Sequence, residues 1–164
     1  MYSVGSKVIH ALHGLGTVET IEEKDILGQI ARFSVISFQN DRLKIMVNVD
    51  QRNNMIRPLT EASDVPKIME YMSSFTCEMP SKSAERYAIN LRKVKSADVF
   101  QLAEVVKDLM DLSRVKKLSP KELAMLKQAR GILSSEMSQV LSKSAEEMEL
   151  SIDNACRVEE LVTA

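Results

Sequence analysis

The feature that most limits what this chain can fold into is a change of hydrophobic period at Pro58. Before it, apolar residues alternate with polar ones or run in short blocks between turn residues; after it, they recur every three or four positions. Alternation lines one face of a strand, and the longer spacing lines one side of a helix. Strands followed by helices, without interleaving, predict an α+β chain.

In the first part, Lys7-Val-Ile-His10 reads as a short strand, and His13-Gly-Leu-Gly16 as a tight turn whose glycines can take positive φ. Thr17 to Glu22 alternates as a half-buried strand does, and Lys24-Asp-Ile-Leu-Gly-Gln29 reads as the next turn. Ile30 to Phe38 and Leu43 to Val49 are β-rich runs joined by Gln39-Asn-Asp-Arg42, short enough for a hairpin, and Ile56-Arg-Pro58 closes the module. Four or five short antiparallel strands in so few residues predict a strongly bent sheet or small barrel. Such a module buries little core by itself, and an open edge strand is a docking surface for another sheet.

Asp64, with Pro66 in the first turn, starts a short helix whose apolar side is Ile68, Met69 and Met72; Ser73 to Ser81 reads as a linker. Lys82 to Leu109 reads as two helices broken at Ser96-Ala-Asp98. The first is basic: Lys82, Arg86 and Lys93, spaced by four and seven, share a face, while Tyr87, Asn90, Leu91 and Val94 lie on another. The second is apolar, through Val99, Leu102, Val106 and Leu109. Ser119-Pro-Lys-Glu122 is a capping box opening a long helix to about Leu141. Its core side is expected to hold Leu123, Leu126, Leu133, Met137 and Val140, with Lys121, Lys127 and Arg130 outward. Ser144-Ala-Glu-Glu147 is a second box, before a terminal helix with Met148, Ile152, Ala155 and Val158 or Val162 inward. The expected organisation is a β module over 1–58, a short helix and linker over 59–81, and a helical domain over 82–164, the α part being a bundle of about five helices. Met69, Met72, Met110, Met125, Met137 and Met148 fall at core spacing and read as packing residues.

The net charge of −1 hides a division along the chain. Residues 82–130 hold 12 Lys/Arg against 6 Asp/Glu, a balance of +6, between flanks of −2 (1–81) and −5 (131–164). A basic middle suits an anionic partner, nucleic acid above all; a solvated lysine face is the competing explanation. Catalytic signatures are missing from the sequence: there is no GxxxxGK[ST], GxGxxG after a strand, GxSxG or HExxH. His10 and His13 read as turn residues, and Cys77 and Cys156 lack metal-ligand spacing, so no catalytic residue, metal or cofactor is expected. No apolar run is long enough to span a bilayer and the start lacks a signal-peptide core, which places the expected location in the cytoplasm without a membrane partner.

Lys7-Val-Ile-His-Ala-Leu-His-Gly-Leu-Gly-Thr-Val18, with Leu43-Lys-Ile-Met-Val47 and Ile56-Arg57, resembles the small β module shared by CarD-type bacterial transcription regulators and the transcription-repair coupling factor. The helical part is similar to the CarD family through Arg86-Tyr87, Asn90-Leu91, Asp98-Val99, Ala103 to Leu109, Leu118-Ser119, Glu122, Met125-Leu126 and Ala129-Arg130. The resemblance implies a non-enzymatic regulator of transcription initiation. A Tudor-like module would dock on the RNA polymerase β subunit by its sheet edge, and the helical domain would touch promoter DNA and modulate the open complex. By matching position, Thr17, Glu19, Lys44 and Met46 would meet the polymerase; some relatives have arginine where Met46 stands. Lys82, Ser83, Arg86, Arg92, Lys93, Lys116 and Lys117 would meet DNA, with Lys95 and Arg114 as further cations. Ser83 stands where family members carry a tryptophan wedge, so DNA contact is expected to be weak and largely to the backbone. A polymerase-bound protein–protein adaptor is the second expectation, and the open strand edge is also a route to homo-oligomers.

Overall fold

Among the described residues five strands precede five α-helices, in the order that the period change requires. The computed structural model describes residues 2–38, 42–53 and 55–157. Residues 39–41 of the expected hairpin connection, and Val158 and Val162, lie outside the described residues.

Strands β1 (Lys7–His10), β2 (Gly14–Ile26), β3 (Gln29–Phe38), β4 (Lys44–Asn48) and β5 (Ile56–Pro58) form one antiparallel sheet in the order β4-β3-β2-β1-β5. Among the described residues β4 and β5 do not pair, so the sheet is open there, as a bent sheet rather than a closed barrel would be. All three residues of β5 are engaged with β1. The expected turn at 24–29 is also shorter than its composition implied. The β2–β3 ladder continues to Ile26↔Gln29, leaving Leu27 and Gly28 as a two-residue turn with φ of 56° and 83°. Leucine is an unusual first residue there; the Asp25 carboxylate accepting from Gly28 N at 2.7 Å helps to fix the turn.

The sheet has two unlike faces. On one, Val8, Val18, Ile36 and Phe38 form a core with Tyr2, Leu43, Ile45, Val47 and Ile56 around it. Gly16 is required inside that core, because a Cβ there would lie 2.7 Å from Ile36 Cγ2 and 2.8 Å from Phe38 Cε1. On the other face the paired Ile9 and Leu15 join the larger hydrophobic core of the helices.

The helices are α1 (Val65–Ser74), α2 (Ser83–Lys95), α3 (Val99–Val115), α4 (Pro120–Leu141) and α5 (Ala145–Arg157), with a 3-10 turn at Ala62–Asp64. Asp64 precedes α1 but its side chain does not cap it; the carboxylate pairs with Lys67 at 2.7 Å instead. The α2/α3 break is real: Ala97 takes φ of 58° and Asp98 caps α3 by accepting from Gln101 N at 2.9 Å. Both capping boxes form, Ser119 with Glu122 and Ser144 with Glu147.

Helix α4 departs from the expected face. Leu123 is exposed, and the inward stripe holds Glu122, Met125, Ala129, Ile132, Leu133, Glu136 and Met137. Two fully buried carboxylates replace part of the expected apolar side because each meets an arginine. Glu122 Oε1 receives Arg86 Nε at 2.6 Å. Glu136 receives both Arg57 Nη1 and Nη2 at 2.6 Å, and Thr60 N at 2.8 Å. A buried charge left without its partner is far costlier than a surface one. Glu122→Ala should therefore lower unfolding free energy by about 3–5 kcal/mol, whereas Lys82→Ala should change it by less than about 0.5 kcal/mol. The check is a pair of urea transitions read by circular dichroism.

Candidate interaction surfaces

The first surface is the part of the sheet that the helices leave uncovered. Strand alternation puts Lys44 and Met46 outward and Ile45 and Val47 toward the core. Lys44 pairs with Ser37, which pairs with Thr17, so these three form one row across the sheet; Met46, Val35 and Thr20 form another. Glu19 sits at the irregularity between Val18 and Thr20, and its carboxylate meets Lys44 Nζ at 2.6 Å. Hydrogen bonds from Lys44 and Ser37 hold the Glu19 carboxyl below its ordinary range. Thr17, Glu19, Lys44 and Met46 are thus brought together, on the same face as Ile9 and Leu15 but beyond the helical contact. β4 ends the sheet and is paired on one side, to β3.

Two residues join this face that reading the sequence as a turn at 24–29 missed. Lys24 Nζ lies 3.4 Å from Met46 Sδ, and Ile26, two residues along β2, continues the row toward the hairpin tip. Ile26, Leu27 and Ile30 are all exposed there. The missing signal was a ladder that runs through polar residues, with glycine at only one of the two turn positions.

The second surface is basic, and the structure redistributes it. Arg86 is buried, not presented. Besides Glu122 it donates to the carbonyls of Pro80 at 3.0 Å and Ser81 at 2.5 Å, which ties the end of the linker to α4. The guanidinium and the Ser119 cap outweigh burial and keep Glu122 below the ordinary carboxylate range. Lys93 is largely buried too, 2.9 Å from Glu104 and 3.4 Å from Asp108, with its ammonium 5.2 Å from the Phe75 ring centre. The spacing of Lys82, Arg86 and Lys93 correctly groups them on one flank of α2, but that flank turns partly toward carboxylates on α3 and α4.

The exposed cations among the expected DNA contacts lie mainly at the two ends of α2. Lys82 and Ser83 open α2, and the Arg86–Glu122 pair brings that end beside the start of α4. There Lys121 reaches 5.7 Å from the Tyr87 ring centre, and Lys116 and Lys117 precede the Ser119 cap. Lys121 is a member that the sequence reading treated only as an outward residue. Both helix starts add partial positive charge. Arg92 and Lys95 are exposed at the opposite end of α2, and Arg114 is held by Asp111 at 3.2 Å and the Cys156 carbonyl at 3.0 Å.

His10 is occupied by the turn that follows β1. Nδ1 of His10 accepts from Leu12 N at 3.1 Å and His13 N at 3.3 Å, and burial beside His13 lowers its pKa to about 4. Among the described residues no group of three or more His, Cys, Asp or Glu is arranged to hold a metal, and no helix is long and apolar enough to cross a membrane.

The Lys93 network carries a titration. Tyr71 Oη donates to Glu104 at 2.5 Å, and burial outweighs the nearby Lys93 charge to push Asp108 up to about 6. Because that value lies above the 3.8 of a free aspartate, the stability tied to neutral Asp108 is present below about pH 3.8 and is lost as pH rises through 6. Asp108→Asn should therefore gain on the native chain by about 1–3 kcal/mol between pH 4 and 7, checked by urea midpoints across that range. Parallel curves would show that Asp108 does not titrate there.

Residues 67–153 match the family model described as CarD, C-terminal domain, and residues 2–60 match that described as CarD-like/TRCF RID domain. A Bacillus subtilis (strain 168) protein named "Putative transcription factor YdeB" is 30% identical over 138 residues, covering 84% of this chain and 90% of that protein.

Proposed function

From the premise that the chain belongs to the CarD-like transcription factor family, we propose that it docks on the RNA polymerase β subunit through the free edge and outer face of β4. It then contacts promoter DNA with the basic cluster at the starts of α2 and α4 and changes the lifetime of the open complex. The observation that carries this reading is the division of one sheet face: Ile9 and Leu15 fasten the helices to it, while Lys44, Met46 and Lys24 stay exposed near an edge that pairs with no other strand among the described residues. A strand of the partner adding to β4 would gain main-chain hydrogen bonds, with Met46 and Ile26 supplying apolar contact.

The DNA-contact group is narrower than the sequence reading. Lys82, Lys116, Lys117 and Lys121 carry it, around Ser83; Arg92 and Lys95 form a separate pair; Arg86 supports the group from behind, and Lys93 is taken up by Glu104 and Asp108. Such contacts attract phosphate with little sequence readout. Serine at 83 offers no ring to unstack a base step.

The polymerase-bound adaptor remains a second reading, favoured by the inward turn of Arg86 and Lys93, which thins the basic face. Salt separates the two, since phosphate contacts release counterions and an apolar protein interface does not.

In the full chain, Lys44→Glu with Met46→Glu should abolish saturable binding to a purified β-lobe fragment without changing the circular dichroism spectrum. Unchanged binding would remove the β4 docking mode. Lys82→Ala with Lys121→Ala should weaken promoter binding and reduce the slope of log affinity against log salt by up to about 1.8; an unaltered slope would favour the adaptor. Ser83→Trp should lengthen promoter retention, measured by competitor challenge.

A further inference from the structure

The β module and the helical domain meet along one stripe of α4. Gln128, Ile132 and Glu136 recur at four-residue spacing and so share a side of the helix. Each touches a different part of the β module. Gln128 Nε2 donates to the Leu12 carbonyl at 2.7 Å. Ile132 fills the space over Gly14, where a Cβ would lie 3.2 Å from Ile132 Cγ1. Glu136, 1% exposed, takes the Arg57 fork from β5 and the Thr60 amide just beyond it. Arg57 Nη1 also donates to the Pro58 carbonyl at 3.1 Å.

This joint has a directional character that apolar packing lacks. Two parallel N–H···O bonds fix the plane of the carboxylate against the plane of the guanidinium, and the Thr60 amide fixes it a third time. Rotation of the β module about α4 would break all three at once and leave a charge in a dry site. The opposite part of α4 carries Glu122, which holds Arg86 and with it the start of α2. One helix therefore sets the angle between the sheet edge and the basic cluster.

We infer that Glu136 is a positioning residue, whose grip on Arg57 and Thr60 makes contact at the basic cluster depend on docking at β4. The inference rests on the function proposed above. With the joint intact, a partner held at the sheet edge meets the basic cluster at one angle, and the second contact is an intramolecular event at high effective concentration. With the joint broken, each surface still binds but the gain from linking them falls.

The test uses the full chain with Glu136→Gln, and Arg57→Lys as a second variant that keeps the charge but loses the fork. Spin labels at Thr20→Cys and Ala88→Cys, in a Cys77→Ser background, report the angle between the two parts as a distance distribution. The expected result is a broadened distribution in both variants. Affinity of the unlabelled variants for the β-lobe fragment should stay within about twofold, because β4 and β5 lie at opposite edges of the sheet. The effect on open-complex lifetime, of either sign, should shrink by about fivefold or more. A distribution as narrow as the native one overturns the positioning role, even where the lifetime effect falls. A native chain that fails to bind the β-lobe fragment overturns the function on which the inference rests, and the label distances still decide whether Glu136 fixes the angle. If Glu136→Gln fails to fold, the Arg57→Lys distribution and lifetime decide by the same criteria.

Discussion

Two carboxylates on one buried side of α4 hold the rest of the molecule in place. Glu122 and Glu136 are fourteen positions apart, about 21 Å along a helix, and each faces an arginine from a different segment. Neither carboxylate can be left alone in the interior without a large cost. The apolar core around Leu109, Leu133, Met137 and Ile152 supplies the larger driving force, but it tolerates sliding. The ion pairs are directional, so they favour the arrangement in which each carboxylate meets its arginine.

This explains how a chain with few aromatic residues and many methionines keeps a defined geometry. Met72, Met125, Met137 and Met148 fill the interior with flexible side chains that adapt to many packings. Directional contacts at the periphery of that core remove the freedom that the methionines allow: Arg86 to Glu122, Arg57 to Glu136, Arg130 to Asp153 and Lys93 to Glu104. The surface proposed for polymerase, on β2 and β4, is joined to α4 through the far edge of the sheet at β5, and that proposed for DNA through the start of α2.

Local chemistry was legible in the sequence and long-range chemistry was not. Both capping boxes, the Ser96–Asp98 break and the first strand could be read because each depends on residues within a few positions of one another. The same Ser119-Pro-Lys-Glu122 motif concealed the second role of Glu122, since its partner Arg86 lies 36 residues away. Arg86 and Lys93 looked like a presented face because helical spacing reveals which side chains share a flank, not whether acids on other helices meet that flank. Leu123 read as core for the converse reason: an apolar residue one step from Glu122 on a capped helix takes the outward place when the carboxylate is the residue that must be inside. On the sheet, Thr17, Glu19, Lys44 and Met46 could be nominated by resemblance. Lys24 and Ile26 required the register of β2 against β3.

The two ion pairs also differ in the length of chain that each encloses. Arg86 and Glu122 are 36 residues apart, whereas Arg57 and Glu136 are 79 apart. Closing the longer loop costs about 0.7 kcal/mol more in chain entropy, and contacts nearer in sequence form sooner in general. The joint between the two parts is thus the costlier closure, because the loop it encloses spans α1, α2, α3 and most of α4. Synthesis delivers the strands before α4, so the sheet face that carries Ile9 and Leu15 has its packing completed by residues from the last third of the chain.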